Sequence, residues 1–252
     1  MYTDFYNLKE APFKLTPSPR FLYLGKSHRE ALALLTYGVM ERKGFILLTG
    51  DVGTGKTTMI QALLSNLDSS VQCISLPNPL LSPKDFMDYL AFSAFKKRVH
   101  FRSKAAFLLE FEGFLRECLH HQRNFILIID EAQRLSFALL EEIRLLSNME
   151  YANEKLMNIF LVGQPELNGR LSEPRCQGLL QRISNRYHIP PLEFEGTRGY
   201  LATRLKIAGA KREDDIFSKG AVDAIHHYSL GYPRVINILA DNSLLLGYSE
   251  GK

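Results

Sequence analysis

The chain has 252 residues, 46% of them hydrophobic and 23% charged, which is typical of a globular protein with one substantial core. The net charge of +4 is too small to indicate a nucleic-acid partner by itself. Three widely separated cysteines exclude a disulfide framework, and no apolar run approaches the ~18 residues of a membrane-spanning helix. Because the N-terminus also lacks the basic and apolar regions of a signal peptide, we predict a cytoplasmic protein.

The first 25 residues combine prolines with aromatic side chains, so we predict an extended N-terminal arm (residues 1–25). Its aromatic residues must be buried, either against the core or as a wall of a pocket for a nucleotide base. A helix should follow, with Ser27 as N-cap and Glu30 completing a capping box.

The strongest signal is a phosphate-binding loop of the form Gly-x-x-x-x-Gly-Lys-Thr, between an apolar run, Phe45–Leu48, and a helical pattern, Thr58–Asn66. Glycines allow backbone N–H groups to approach phosphates, Lys56 adds positive charge for the β- and γ-phosphates, and the Thr57 hydroxyl suits Mg²⁺. We therefore predict binding of a nucleoside triphosphate, ATP, with Mg²⁺. The predicted binding residues are Gly50, Asp51, Val52, Gly53, Thr54, Gly55, Lys56, Thr57 and Thr58.

A second strand, Val71–Leu76, and a helix, 84–95, are predicted next. The segment 96–104 then carries five Lys or Arg residues and no acidic residue. It is either a solvated corner between helices or a patch for nucleic acid, anionic lipid or an acidic partner. Apolar residues near a 3.6-residue period predict a helix over 103–121.

A strand buried on both faces is predicted at Phe125–Ile129, followed directly by Asp130 and Glu131. Carboxylates at the carboxyl end of a parallel strand lie where α/β sheets bind ligands. We predict that Asp130 holds Mg²⁺ through its water shell and that Glu131 orients and deprotonates the attacking water.

Another buried strand, Leu156–Val162, ends close to Gln164, whose side chain is a candidate sensor of the γ-phosphate or the water. Arg182 and Arg186 precede a short strand predicted at 187–189. The pattern predicts a three-layer α/β domain (26–191) with a parallel five-stranded sheet. Three further helical patterns predict a small all-helical lid (192–252), with Arg234 at the start of its last helix.

In this order the motifs resemble those of AAA+ ATPases, and more narrowly the ExeA-like, general secretion pathway protein A family. The resemblance extends through nearly the whole chain, at Pro12–Pro17, Gly50–Thr58, Ile129–Gln133, Leu161–Leu167, Gln181–Ile183 and Gly231–Arg234.

The resemblance implies a P-loop NTPase of AAA+ type and a role for each matched residue. Lys56 and Thr57 correspond to Walker A and Asp130 and Glu131 to Walker B, with Gln164 as sensor 1 and Arg234 as sensor 2. An arginine finger acting on a neighbouring subunit is also implied, with Arg182 as first candidate and Arg186 as second. Asn78 is a candidate for the polar switch that restrains Glu131.

The resemblance further implies a homo-oligomer whose ATP hydrolysis drives assembly of a bacterial secretion, pilus or polysaccharide-export machine, and a nearly inactive monomer. Secretion-type members often continue into a membrane helix and a periplasmic peptidoglycan-binding region. We therefore expect either the ATPase module of a longer protein or a shorter relative, held at the inner membrane through partners or a further C-terminal region.

Two other classes stay open. A DNA-acting AAA+ ATPase resembling transposition or initiator loaders would use the 96–104 segment, although the mild charge does not favour nucleic acid. A P-loop kinase for a small molecule would not require Glu131 as a water-activating base.

Overall fold

The structure is a computed structural model that describes residues 2–16, 18–68, 70–99, 101–211 and 216–251. Pro17 and His100, which belong to predicted segments, lie outside the described residues. The α-helices are α1 Tyr2–Phe5, α2 Lys26–Met40, α3 Lys56–Asn66, α4 Pro83–Phe95, α5 Lys104–His120, α6 Phe137–Leu146, α7 Glu166–Leu171, α8 Gln177–Leu180, α9 Phe194–Ile207, α10 Lys219–Ser229 and α11 Pro233–Glu250. The strands are β1 Phe45–Gly50, β2 Val71–Leu76, β3 Asn124–Ile129, β4 Glu150–Tyr151, β5 Glu154–Lys155, β6 Asn158–Gly163 and β7 Ile183–Ile189.

One five-stranded sheet contains all five predicted strands, in the order β2-β3-β6-β1-β7. The pairs β2–β3, β3–β6 and β6–β1 are parallel, so the carboxyl ends of these strands share one edge of the sheet. This confirms the predicted fold class. β4 and β5 form a small antiparallel hairpin. It was not predicted, because these residues show no hydrophobic alternation. Its turn residues, Ala152 and Asn153, both have positive φ, as a tight hairpin turn of type I′ requires.

The chain divides into two compact units. The sheet unit consists of Ala33–Gly50 and Asn66–His188. The helical unit consists of Met1–Leu32, Asp51–Ser65 and Ile189–Lys252. The phosphate loop after Gly50 therefore belongs to the same unit as the arm and the C-terminal helices.

In the sheet unit, side chains are buried on both faces of the sheet. On one face, alternate strand residues such as Phe45, Leu127 and Leu161 form a single buried cluster with residues of α4, α5 and α6. On the other face, α2 approaches closely, since a Cβ added to Gly38 would lie 1.8 Å from Cδ1 of Ile46. Helices thus cover both faces, which explains why the strands read as continuous apolar runs rather than alternating ones.

The helical unit has its own core, in which α9, α10 and α11 bury two aromatic side chains of the arm, whereas Phe5 of the arm is 44% exposed. Phe13 and Phe21 are both less than 8% exposed within this cluster. Arg204 of α9 is also buried, and its guanidinium group donates to the carbonyl oxygens of Pro12 (2.6 Å) and Lys14 (3.3 Å). Because a buried charge must be hydrogen-bonded, Arg204 fixes the arm against α9.

Several element boundaries differ from those predicted. α2 begins at Lys26, so Ser27 lies in its first turn and is not its N-cap. β6 begins at Asn158, two residues later than predicted. Such shifts are expected because the ends of helices and strands carry weaker sequence signals than their interiors.

Cys73, Cys118 and Cys176 are free thiols. Burial raises the pKa of the Cys73 thiol to about 11. Among the described residues no helix is both long enough and apolar enough to cross a membrane.

Candidate active site

The phosphate loop is folded around the carbonyl oxygen of Asp51. That oxygen accepts hydrogen bonds from the Thr54 hydroxyl (2.9 Å) and from Nζ of Lys56 (2.9 Å). Gly53 and Gly55 have φ of +84° and +98°, a region that favours glycine. α3 begins at Lys56, so its first backbone N–H groups lie at a helix N-terminus, where anions bind favourably.

His28 supports this loop from α2, and sequence reasoning missed its role. Its Nε2 lies 3.2 Å from the carbonyl oxygen of Thr54, so Nε2 carries the proton and donates it. Burial lowers the pKa of His28, which is 5% exposed, and keeps the ring neutral. Nδ1 has no hydrogen-bond partner within the described residues. The sequence offered only a histidine in the first turn of a helix, a common and uninformative position.

The first turn of α11 also contacts the loop. The backbone N–H of Arg234 donates to the carbonyl oxygen of Gly53 (3.3 Å). A Cβ added to Gly53 would lie 2.8 Å from Cβ of Arg234, so this approach has room for glycine alone. The side chain of Arg234 is exposed and makes no hydrogen bond or ion pair with another described residue. The helical unit thus brings the predicted sensor 2 arginine to the phosphate loop.

Tyr232, which precedes α11, also contacts the phosphate loop. Its hydroxyl donates to Oδ2 of Asp51 at 2.8 Å. This hydrogen bond to a carboxylate raises the pKa of Tyr232. Sequence reasoning named Tyr232 only as part of a short motif, because nothing in the sequence pairs it with Asp51.

In the sheet unit, Asp130 and Glu131 follow β3. Oδ1 of Asp130 accepts the backbone N–H of Glu131 at 2.9 Å, which orients the Asp130 carboxylate. Glu131 has φ 54° and ψ 36°, a left-handed conformation that is uncommon for a residue other than glycine. Residues held in such conformations concentrate at functional sites.

The ends of β3 and β6 bring the predicted base and sensor together. Nε2 of Gln164 donates to Oε2 of Glu131 at 3.3 Å. A second amide, that of Gln133, donates from Nε2 to the same carboxylate oxygen at 2.6 Å. Oε1 of Gln133 accepts the backbone N–H of Gln164 at 3.1 Å, which closes a three-residue cluster. Gln133 was part of a motif in the sequence, and its partners became visible only in the fold.

The two candidate finger arginines bind acceptors of their own chain. Nη1 of Arg182 donates to the carbonyl oxygen of Arg144 and to Oγ of Ser147, both at 3.1 Å, and also to Oδ1 of Asn148. Arg186 donates to the carbonyl oxygens of Leu180 (3.0 Å) and Ile183 (3.4 Å). Either side chain would have to exchange these partners to reach another subunit.

Asn78, the predicted switch residue, is exposed and uses Oδ1 to accept the backbone N–H of Leu80 at 3.2 Å. In the part of the chain that the structure describes, Asn78 makes no hydrogen bond to Glu131. Its side chain closes a local turn instead.

The basic segment is solvent-exposed. Lys96, Lys97, Arg98, Arg102 and Lys104 all belong to the exposed class. Lys104 is paired with Glu142 at 2.6 Å, whereas no ion pair of the other four is found within the described residues.

Comparison with known proteins identifies a family and several relatives. Residues 39–171 match the family described as AAA domain. The whole chain is 38% identical to General secretion pathway protein A of Aeromonas hydrophila and spans 46% of that protein's length.

Among solved structures, Cdc6p of Pyrobaculum aerophilum has a TM-score of 0.71 at 19% identity. The ORC2 protein of Aeropyrum pernix, in its ADPNP–ADP complexes, has a TM-score of 0.67 at 15% identity. Each alignment covers 97% of this chain and 68% of the other. At these identities the similarity establishes the fold.

Proposed function

The chain belongs to the AAA domain family and is an ATPase, and on this premise we propose that it hydrolyses ATP with Glu131 as the base that activates water. The observation that carries the proposal is the hydrogen bond from Gln164 to Glu131, because it joins the ends of β3 and β6. A carboxylate and a polar sensor at adjacent strand ends are the groups needed to hold and deprotonate an attacking water.

The phosphate loop would bind the triphosphate. Backbone N–H groups at the start of α3 and the ammonium group of Lys56 would attract a negatively charged ligand. Arg234, whose guanidinium group is exposed beside the loop, would contact the γ-phosphate as sensor 2. Each of these groups favours the charge that develops on the phosphoryl oxygens during transfer.

Mg²⁺ suits the residues present. Thr57 offers a hydroxyl in the first turn of α3, and Asp130 offers a carboxylate oriented by the N–H of Glu131. Mg²⁺ binds through few protein oxygens and keeps several waters, so one hydroxyl and one carboxylate suffice beside the phosphates. When bound, the ion would neutralise charge on the β- and γ-phosphates.

We further propose that the active enzyme is a homo-oligomer in which Arg182, or alternatively Arg186, acts on the nucleotide of a neighbouring subunit. An arginine finger contributes about 10³–10⁵ in rate, so the monomer should be nearly inactive. The proposal is compatible with the present partners of Arg182, because neutral oxygen acceptors bind a guanidinium more weakly than a phosphate does.

The relative supports a proposal for the cellular role. We propose that the chain drives assembly of a secretion, pilus or polysaccharide-export machine, supported by its 38% identity to General secretion pathway protein A. It would work with an envelope or secretion-system partner on the cytoplasmic side of the inner membrane, where ATP is available.

The test measures ATP turnover and ATP binding, and it follows turnover as the protein concentration is varied. Glu131→Gln should reduce turnover by about 10²–10⁴ while ATP binding is retained. Glu110→Gln, an exposed substitution on α5, is the control. In the unaltered protein, turnover per subunit should rise with protein concentration. Turnover that survives Glu131→Gln would overturn the assignment of the base and favour a P-loop kinase.

A DNA-acting ATPase is the second candidate. The exposure of Lys96, Lys97, Arg98 and Arg102 favours it, because exposed cations along a segment can neutralise phosphates.

A further inference from the structure

We propose that Gln133 is a positioning residue for ATP hydrolysis, which presents one oxygen of Glu131 to the attacking water. The inference rests on the proposed function, because it requires Glu131 to be the base. Gln133 would act through Glu131 and would not itself contact the substrate.

Both amide donors bind the same oxygen of Glu131. Gln133 donates to Oε2 at 2.6 Å and Gln164 donates to Oε2 at 3.3 Å. No hydrogen bond to Oε1 of Glu131 is found among the described residues. A carboxylate held by one oxygen keeps the other as an acceptor, and a base needs such an acceptor for the proton of water.

Gln133 is itself held at both ends of its amide. Oε1 accepts the backbone N–H of Gln164 at 3.1 Å, and Nε2 faces the carboxylate of Glu131. The opposite orientation of the amide would place its oxygen against the carboxylate and its NH₂ against an N–H, so these partners fix the assignment. The side chain therefore connects the residue after β6 to the base after β3.

The space around Gln133 supports the same reading. A Cβ added to Gly163 would lie 2.7 Å from Oε1 of Gln133, so the amide is packed against the end of β6. Glu131 has a left-handed backbone, which turns its side chain away from the direction that a strand residue would take. The two amides hold that side chain in a single place.

This geometry gives Gln133 a different task from a restraining switch. A restraint would occupy the oxygen that accepts the proton, whereas Gln133 and Gln164 share one oxygen. Asn78, the switch candidate, is bound within its own turn.

The test uses two substitutions of Gln133. They distinguish its hydrogen bond to the backbone of Gln164 from its hydrogen bond to the carboxylate of Glu131. Gln133→Met keeps the length of the side chain and removes both hydrogen bonds. Gln133→Glu keeps an acceptor for the N–H of Gln164 but replaces the donor to Glu131 by a second carboxylate. Turnover is measured at about pH 8, well above the ordinary range of carboxyl groups.

Both variants should lower kcat by about tenfold to a hundredfold while KM for ATP changes less than about twofold. Gln177→Glu, on the exposed side of α8, makes the same chemical change elsewhere and should leave both constants unaltered. Unimpaired kcat in Gln133→Glu together with a loss in Gln133→Met would show that Gln133 only supports Gln164, and would overturn the proposal. If Gln133→Met does not fold, Gln133→Glu decides alone.

A double-mutant cycle supplies the second readout. Adding Gln133→Met to Glu131→Gln should change the residual turnover by less than about twofold, because Gln133 acts through the carboxylate that is already absent. An additional tenfold loss in this background would overturn the proposal. If Glu131→Gln itself retains turnover, the proposed function fails first; if Glu131→Gln is inactive and Gln133→Glu is not, only the inference fails.

Discussion

The hydroxyl of Tyr232 donates a 2.8 Å hydrogen bond to the carboxylate of Asp51. It joins the residue before α11 to the second residue of the phosphate loop. Together with the contact between Arg234 N–H and the carbonyl of Gly53, it gives the loop two attachments to the same helix start. The loop is therefore ordered partly by residues some 180 positions away, since Tyr232 and Asp51 are 181 positions apart.

Removing the Tyr232 hydroxyl should weaken nucleotide binding. We expect Tyr232→Phe to bind ATP roughly three- to tenfold more weakly, because a less ordered loop loses more conformational entropy on binding. Titration of a fluorescent ATP analogue measures the change. Tyr228→Phe, which alters a 73% exposed tyrosine of α10, is the matched control. Equal affinities in Tyr232→Phe and the unaltered protein would contradict this prediction.

A methyl group at Gly53 should abolish nucleotide binding. Gly53→Ala places Cβ at 2.8 Å from Cβ of Arg234 and forces alanine into φ +84°, so the loop must change shape. Gly113→Ala is the control, since nothing lies within 4 Å of the added Cβ and the residue is in α5. That control should raise the free energy of unfolding by roughly 0.5–1 kcal/mol. Tight ATP binding by Gly53→Ala would disprove the steric argument.

Titration of His28 should lower the free energy of unfolding in mild acid. Burial lowers its pKa, so below the ordinary value of about 6.5 the unfolded chain binds a proton that the folded chain does not. The free energy of unfolding must then fall as pH decreases through this window. His28→Gln keeps a donor for the Thr54 carbonyl and removes the titration.

Chemical denaturation between pH 7 and pH 5 should therefore show a shallower loss of stability in His28→Gln than in the unaltered protein. His121→Gln, which changes an exposed imidazole, is the control. An identical pH dependence in His28→Gln and the unaltered protein would exclude His28 as the cause.

Mixing two inactive variants should restore ATP turnover if the finger acts between subunits. Lys56→Ala lacks a functional phosphate loop but keeps Arg182, whereas Arg182→Ala keeps the loop and lacks the arginine. In a mixed oligomer some sites contain both groups, so turnover should exceed that of either variant by at least about tenfold. The measurement is phosphate release at constant total protein.

Arg182 also holds the end of α6, so loss of structure needs its own control. Ser147→Ala removes one acceptor of Arg182 and leaves the arginine in place. We expect a loss of about 1 kcal/mol in the free energy of unfolding with turnover retained. Mixtures that stay inactive, with both variants folded, would argue against Arg182 and direct attention to Arg186.

DNA binding by the basic segment, residues 96–104, would distinguish the two candidate functions. If DNA is the partner, neutralisation of four phosphates predicts an affinity that falls about a hundredfold between 50 and 200 mM salt. Reversing Lys96, Lys97 and Arg98 to Glu should then abolish DNA binding and leave ATP turnover unchanged. DNA binding that survives the reversal would remove this segment from consideration.

The sequence alone determined the class of fold and indicated most residues of the candidate nucleotide site. The continuous apolar runs that became β1, β3 and β6 predicted a parallel sheet, because strands covered on both faces need no polar alternation. Gly50–Thr57, Asp130 and Glu131 were recognisable because their chemistry depends on residue type and local spacing. Gln164 was predicted from its place at a strand end, and the parallel register then put it beside Glu131.

Only the tertiary structure decided which distant residues complete that chemistry. Tyr232 with Asp51, His28 with Thr54 and Gln133 with Glu131 are hydrogen bonds of single side chains, and no periodicity encodes such pairs. The structure also reassigned Asn78, whose amide closes a local turn rather than reaching Glu131. A sequence pattern records what a residue can do, whereas the folded chain selects the partner by bringing one donor within about 3 Å of one acceptor.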